Sequence, residues 1–297
     1  MIYFLAIIIT CLFSYCLFPT SIALSNLVGA IDYPTIRKSH STPTARGGGL
    51  SFFVAFSMVL IIFPIDLELK LPLLLGGSFI FLIGFLDDAI DISPFMKLSG
   101  QFFSLAVYHF VSEFLDYNVS IFKGILIALW IIFITNATNI IDGLDGLASG
   151  ICASESLCLG IIALIFGNRD IMICSFFVLG ALVGFLPHNF PRAKIFMGDC
   201  GALFLGFTLA ILSSRLMIES ESTLCILSML LIFRVPIYDT NLSIFRRLIK
   251  RKNPFKADKN HFHHYLIRHG FTKECASLAL ITISLFFGFL GIVVALI

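Results

Sequence analysis

Three short groups of acids close three separate apolar runs in this 297-residue chain. Asp87, Asp88 and Asp91 form a DDxxD cluster. Asp142 and Asp145 lie in NIIDGLDGL, which starts at Asn139, and Asp199 lies in FMGDCG, which starts at Phe196. Hard oxygen donors on separate hairpins suit Mg²⁺ (or Mn²⁺), because Mg²⁺ prefers one or two carboxylates plus substrate phosphates and water to a full protein cage. A diphosphate is the natural counterpart. In DDxxD the first and last carboxylates are one helical turn apart, which predicts that Asp87 and Asp91 share a face while Asp88 points elsewhere. The competing reading is a solvated helix end whose acids merely stop the helix. That reading suits NIIDGLDGL less well, since its glycines permit tight turns and its Asn and two Asp offer hydrogen bonds to a ligand.

Basic and histidine residues supply the anion-binding side. The stretch 246–274 carries Arg246, Arg247, Lys250, Arg251 and Lys252, followed by His261, His263 and His264 in HFHH. The basic cluster reads equally as a topology signal and lipid-headgroup anchor. HFHH has neither the HExxH pattern nor a spaced cysteine partner, so contact with phosphate or sugar fits it better than zinc. Arg37, Lys38, His40 and Arg46 precede Gly47, Gly48 and Gly49. Those glycines could form a nest of backbone N–H groups for phosphate or could ease a helix start. The loop matches neither GxxxxGK[ST] nor GxGxxG, and nothing in the chain points to nucleic acid.

The elements that carry these groups follow from composition. The chain is 58% hydrophobic and 13% charged, with 33 Phe and a mean hydropathy of +1.00, whereas soluble domains are roughly a quarter charged. A water-soluble enzyme is excluded, because so many apolar side chains cannot share one core and lipid must face much of the surface. Apolar runs lie at roughly 2–24, 48–65, 71–86, 98–115, 121–138, 148–166, 171–187, 200–217, 224–245 and 275–297. The expected fold is all-α: a single polytopic membrane domain over 1–297, with about ten transmembrane helices and active-site loops on one face. A barrel would need short alternating segments rather than continuous runs such as 125–134. The first run has no Lys or Arg before it and no cleavage pattern, and reads as a retained helix. The loops after spans one, three, five, seven and nine hold 15 of the 20 Lys and Arg residues. The positive-inside rule makes that face cytoplasmic, and all three acidic groups fall on it. Most of the eight cysteines sit in apolar runs and read as small buried hydrophobes.

The ordered set RKSHSTPTARGGG, FLDDAIDIS, NATNIIDGLDGL, KIFMGDCG and PFKADKNHFHHYLIRHGF resembles the polyprenyl-phosphate N-acetylhexosamine-1-phosphate transferases over roughly 30–275. The resemblance is strongest to the bacterial enzymes that use UDP-GlcNAc and undecaprenyl phosphate. It implies a multi-pass protein of the bacterial inner membrane with its active site facing the cytoplasm. In that family the lipid phosphate attacks the β-phosphorus of a UDP-N-acetylhexosamine, UMP leaves, and a lipid-linked sugar diphosphate begins a cell-envelope glycan such as O-antigen. Carried over by position, Asp199 and Asn139 would be metal ligands and Asp87 and Asp88 would lie beside the metal and acceptor phosphate. Asn139, Asp142, Asp145, Asn189 and Phe196 would form the uridine and metal region. His261, His263 and His264 would meet the diphosphate or sugar, with Lys97, Arg37, Lys38 and His40 near the phosphates. The RKSHSTPTARGGG loop looks more like relatives that use UDP-FucNAc or UDP-QuiNAc, so both donors stay open beside UDP-GlcNAc, and a homodimer stays open as well. From a different class, an ion-coupled transporter would place acids near the bilayer midplane; here they lie at span ends, and no repeat pairs the two halves.

Overall fold

A computed structural model of the chain describes residues 2–34, 42–115, 120–250 and 261–297. Arg37, Lys38 and His40 lie outside the described residues. The chain begins with α1 (Ile2–Cys16) and α2 (Phe18–Val28), followed by a two-stranded antiparallel hairpin of β1 (Ile31–Asp32) and β2 (Thr44–Ala45). Next come α3 (Gly49–Ile62), α4 (Leu67–Ile90), α5 (Pro94–Phe114), α6 (Ile121–Ile141) and α7 (Leu147–Ile165). The remainder is α8 (Arg169–Asn189), α9 (Gly198–Glu219), α10 (Thr223–Ile232), α11 (Arg234–Ile249), α12 (Phe262–Arg268) and α13 (Lys273–Ala295).

All ten apolar runs are helical, and the protein is a multi-pass membrane protein. Among the described residues six helices (α4, α6, α7, α8, α9 and α13) are long and apolar enough to cross a bilayer. The count reaches up to eight if the bent pairs α1–α2 (42°) and α10–α11 (72°) each form one span. Length and composition alone thus support six to eight crossings where about ten were expected. The apolar α3 has only 14 residues, short of the ~20 that a hydrocarbon core requires. Along α5, Lys97, Gln101, His109 and Glu113 dilute the hydropathy. Rows of exposed apolar side chains, such as Phe122, Ile125, Leu126 and Leu129 on α6 and Leu285, Phe286 and Phe289 on α13, find a favourable environment in lipid.

The innermost helix is α9, in which every residue from Cys200 to Leu216 is buried. It packs on α4 and α6. Small residues set how near those helices can come: a Cβ on Gly84 of α4 would lie 2.4 Å from Cα of Cys200. Only glycine lets the end of α4, with its two acids, press against the first turn of α9. At the opposite end of the bundle the backbone N–H of Asp66 donates to Asp170 (2.8 Å), tying the α3–α4 connection to the start of α8.

The cysteines mostly match the sequence reading. Cys152, Cys158, Cys174, Cys200 and Cys225 are buried and unpaired, while Cys16 and Cys275 are exposed.

Candidate active site

The acids meet where α4 ends and α9 begins. The first backbone N–H groups of any α-helix have no partner within the helix and favour a negative charge nearby. In α9 that need is met by Asp88, whose two oxygens accept from the N–H of Asp199 (2.8 Å) and of Cys200 (2.9 Å). The Asp199 side chain, on the same turn, receives the Asn139 side-chain N–H at the end of α6. Lys97 Nζ lies 2.5 Å from Asp87 Oδ2 and 3.1 Å from Asp199 Oδ2. Lys97 is held in the first turn of α5, where Ser93 Oγ accepts from Met96 N (3.3 Å) and Pro94 opens the helix.

The pairing expected within DDxxD needs correction. Asp87 and Asp88 are both buried, whereas the Asp91 side chain is exposed and sits 3.7 Å from Arg46. The helix stops at Ile90, Asp91 takes a left-handed conformation (φ 49°), and the N–H of Ile92 turns back onto Asp87 Oδ1 (2.9 Å). Once the helix ends, one-turn spacing no longer puts Asp91 over Asp87.

Beyond this cluster opens a cavity of about 500 Å³, within the range of small-ligand sites. Asp88, Asp142, Asp145, Asn189, Phe196, Asp199, His263 and His264 all line it. Its walls come from connections that the sequence placed on a single face: the hairpin, the end of α4, and the α6–α7, α8–α9 and α12–α13 segments. Phe196 is fixed by hydrogen bonds from its N–H to Ala45 O (2.8 Å) and from Gly48 N to its carbonyl (3.0 Å). Asp145 accepts from Ala193 N (2.9 Å). Asn189 spends its side chain on the fold. Its Oδ1 accepts from Gly146 N (3.1 Å) and Ser149 Oγ (2.8 Å), and its Nδ2 donates to Ile195 O (3.0 Å). His261 is not a wall of the cavity; its Nδ1 lies 2.9 Å from Asp239 Oδ2.

Electrostatics mark the cavity as short of positive charge. Burial, together with Asp199, Asp88 and Asp145, pushes the Asp142 carboxyl up to about 8. Burial and the neighbouring His264 hold the His263 imidazole down to about 4, so it is neutral at physiological pH. Among the described residues no three His, Cys, Asp or Glu side chains are grouped closely enough to hold a metal by themselves. Asp199 with Asn139 offers one carboxylate and one amide oxygen, a set that fits a hard ion completing its shell with water and phosphate rather than zinc.

Several neighbours escaped the sequence reading. Asp32 and Arg46, paired at 2.7 Å, and Lys273 line the cavity. Arg46 belongs to the glycine-rich loop read as a possible phosphate nest but was not named as a site residue, Lys273 entered only the topology count, and Asp32 arrives through the β1–β2 pairing, which carries no periodic signal. Asp239 was overlooked although a lone acid inside the apolar run 224–245 is costly and so a mark of function or structure.

The family model described as Glycosyl transferase family 4 matches residues 71–217. Over 282 residues the chain is 34% identical to the probable undecaprenyl-phosphate N-acetylglucosaminyl 1-phosphate transferase of Bacillus subtilis (strain 168), covering 90% of this chain and 77% of that protein. It is 35% identical over 266 residues to the undecaprenyl-phosphate alpha-N-acetylglucosaminyl 1-phosphate transferase of Thermotoga maritima, covering 88% of this chain and 81% of that protein. The Escherichia coli (strain K12) protein of that same name is 29% identical over 276 residues, covering 86% and 74% respectively.

Proposed function

The chain belongs to glycosyl transferase family 4, and from that premise we propose that it transfers GlcNAc-1-phosphate from UDP-GlcNAc to undecaprenyl phosphate, releasing UMP. One observation carries the reading: acids from α4, the α6–α7 turn and α9 line the same cavity as the histidines of α12. A transporter pathway would instead need its acids along the middle of the spans, whereas the one buried midway along α7, Glu155, is not on the cavity wall.

In the reaction an oxygen of the lipid phosphate forms a bond to the β-phosphorus of the donor, and the bond from that phosphorus to the bridging oxygen breaks. The electron pair leaves with UMP. Attack of one anion on another is opposed by like charge, so catalysis is chiefly positioning and charge stabilisation. Lys97, already seated between Asp87 and Asp199, supplies positive charge beside the acids, with Arg46 and Lys273 on the cavity wall. Asp199 and Asn139 would hold Mg²⁺, which when bound neutralises charge on the diphosphate oxygens. Asp88 holds the first turn of α9 so that Asp199 faces the cavity. Phe196 offers a ring on which the uracil base can stack. His263, in the neutral form, can donate or accept hydrogen bonds at the diphosphate or sugar, and His264 stands beside it on the cavity wall.

The excess of basic residues on the cavity's face supports a cytoplasmic orientation by the positive-inside rule, and the same proposal puts the protein in the bacterial inner membrane with its product feeding an envelope glycan such as O-antigen. The test is UMP release by protein purified in detergent, supplied with UDP-GlcNAc and undecaprenyl phosphate, with Mg²⁺ or with EDTA. Release that needs both lipid and metal ion supports the reading. Absence of lipid-dependent release from UDP-GlcNAc, UDP-FucNAc and UDP-QuiNAc alike rejects it.

A further inference from the structure

The histidine segment is held from outside the cavity by one side chain. Asp239 lies on α11, beyond the 72° break from α10, and is 3% exposed. Its Oδ2 is 2.9 Å from His261 Nδ1, and its Oδ1 accepts from the N–H of Phe262 at 2.7 Å. Phe262 is the first residue of α12, and no side chain of that helix caps it. A seven-residue helix is too short to persist alone, so a carboxylate at its first N–H stabilises its start.

The consequence reaches the cavity within two residues. His263 packs so tightly on the α6–α7 turn that a Cβ on Gly143 would lie 2.6 Å from its Cε1 and Nε2. The His264 ring is centred 4.1 Å from that of His263, and both line the cavity while Asp239 does not. Meanwhile α11 exposes Tyr238, Phe245, Leu248 and Ile249, an apolar face suited to lipid.

We propose that Asp239 is a positioning residue for the donor: by bonding His261 and the N–H of Phe262 it fixes His263 and His264 at the cavity, from a helix that does not itself line it. This rests on the transferase reading. Partners standing behind metal-ligating histidines typically cost 10–100-fold in affinity or activity when removed, and the lower end of that range is the scale expected for histidines that contact substrate.

The experiment is steady-state kinetics with varied UDP-GlcNAc and varied undecaprenyl phosphate on wild type, Asp239→Ala, Asp239→Asn, His261→Ala and the Asp239→Asn/His261→Ala double variant. Asp239→Ala is expected to raise the KM for UDP-GlcNAc about tenfold or more while leaving the KM for the lipid unchanged. Asp239→Asn keeps an acceptor for the Phe262 N–H and loses the charged partner of His261, so its effect is smaller. The double variant should match His261→Ala, because both substitutions break one linkage. A residue that only stabilises the fold would lower the active fraction and leave both KM values alone. That outcome in Asp239→Asn, or strict additivity in the double variant, overturns the positioning role. A wild type that releases no UMP would instead overturn the transferase reading.

Discussion

Asp88 receives the backbone N–H of Asp199 at 2.8 Å, so the acid at the end of α4 is the cap of the helix that presents the central carboxylate of the cavity. Chemistry and folding therefore meet in a single side chain. Asp88→Ala is expected to lower stability by about 0.5–2 kcal/mol, the usual cost of a lost cap, and to abolish turnover. Asp88→Asn, which keeps an oxygen acceptor, should recover most of the stability and little of the activity. Thermal denaturation in detergent measures the first effect and UMP release the second. An unchanged midpoint in Asp88→Ala would refute the capping role.

Lys97 shares one positive charge between two carboxylates. Lys97→Gln leaves their negative charge uncompensated, so a divalent ion should bind more tightly while the phosphates lose a cation. We expect turnover to fall at least about tenfold, equivalent to ~1.4 kcal/mol of transition-state stabilisation, and the Mg²⁺ concentration for half-maximal activity to fall too. A higher Mg²⁺ requirement would contradict this arrangement.

The two titrating groups give a pH dependence of stability with a definite sign. Asp142 has a folded-state value of about 8, above the ordinary value near 4. The folded protein thus binds more protons than the unfolded one between those values, and this group's contribution declines as pH rises through that window. His263, held down to about 4, acts in the opposite sense between about 4 and 6.5. From pH 6.5 to 8 only the Asp142 effect remains of the two. In EDTA the denaturation midpoint should fall across that interval, and Mg²⁺ should flatten the slope. A midpoint that rises from pH 6.5 to 8 in EDTA would contradict the charge balance described.

Glu155, midway along α7, is 1% exposed, and neither of its oxygens has a conventional hydrogen-bond partner, the Cys152 thiol being its polar neighbour. An unsatisfied buried polar group costs about 1–3 kcal/mol. Glu155→Met, close in shape, should raise the denaturation midpoint with activity retained. Loss of activity in a well-folded Glu155→Met protein would instead assign this carboxyl a part in function.

Much of the architecture was legible because its signals are periodic or compositional. Continuous apolar runs can only be helices in a bilayer, and the alternation of basic loops predicted which connections share a face; those connections do line one cavity. The DDxxD geometry was misread because helical spacing was extended one residue too far, and the stop at Ile90 depends on the Ile92 N–H returning to Asp87. Asp239 and Asp32 were missed for a related reason: each matters through a partner distant in sequence, His261 and Arg46 respectively, and no local pattern announces such a pair. By length and composition six to eight of the described helices qualify as crossings, fewer than the ten expected, because the apolar α3 is short and α5 carries polar residues.

The central claim is that this cavity joins a lipid phosphate to the sugar-bearing phosphate of a UDP-sugar. The most direct measurement supplies purified protein with undecaprenyl phosphate and UDP-GlcNAc carrying ³²P at the β-position, and follows the label into butanol-extractable lipid. The account predicts that the label enters the lipid, that mass analysis gives a GlcNAc diphosphate ester of undecaprenol, and that Asp199→Asn protein, folded and membrane-inserted, yields none. Label remaining entirely in the water-soluble nucleotide or sugar phosphate, with active substrates and folded protein, would contradict it.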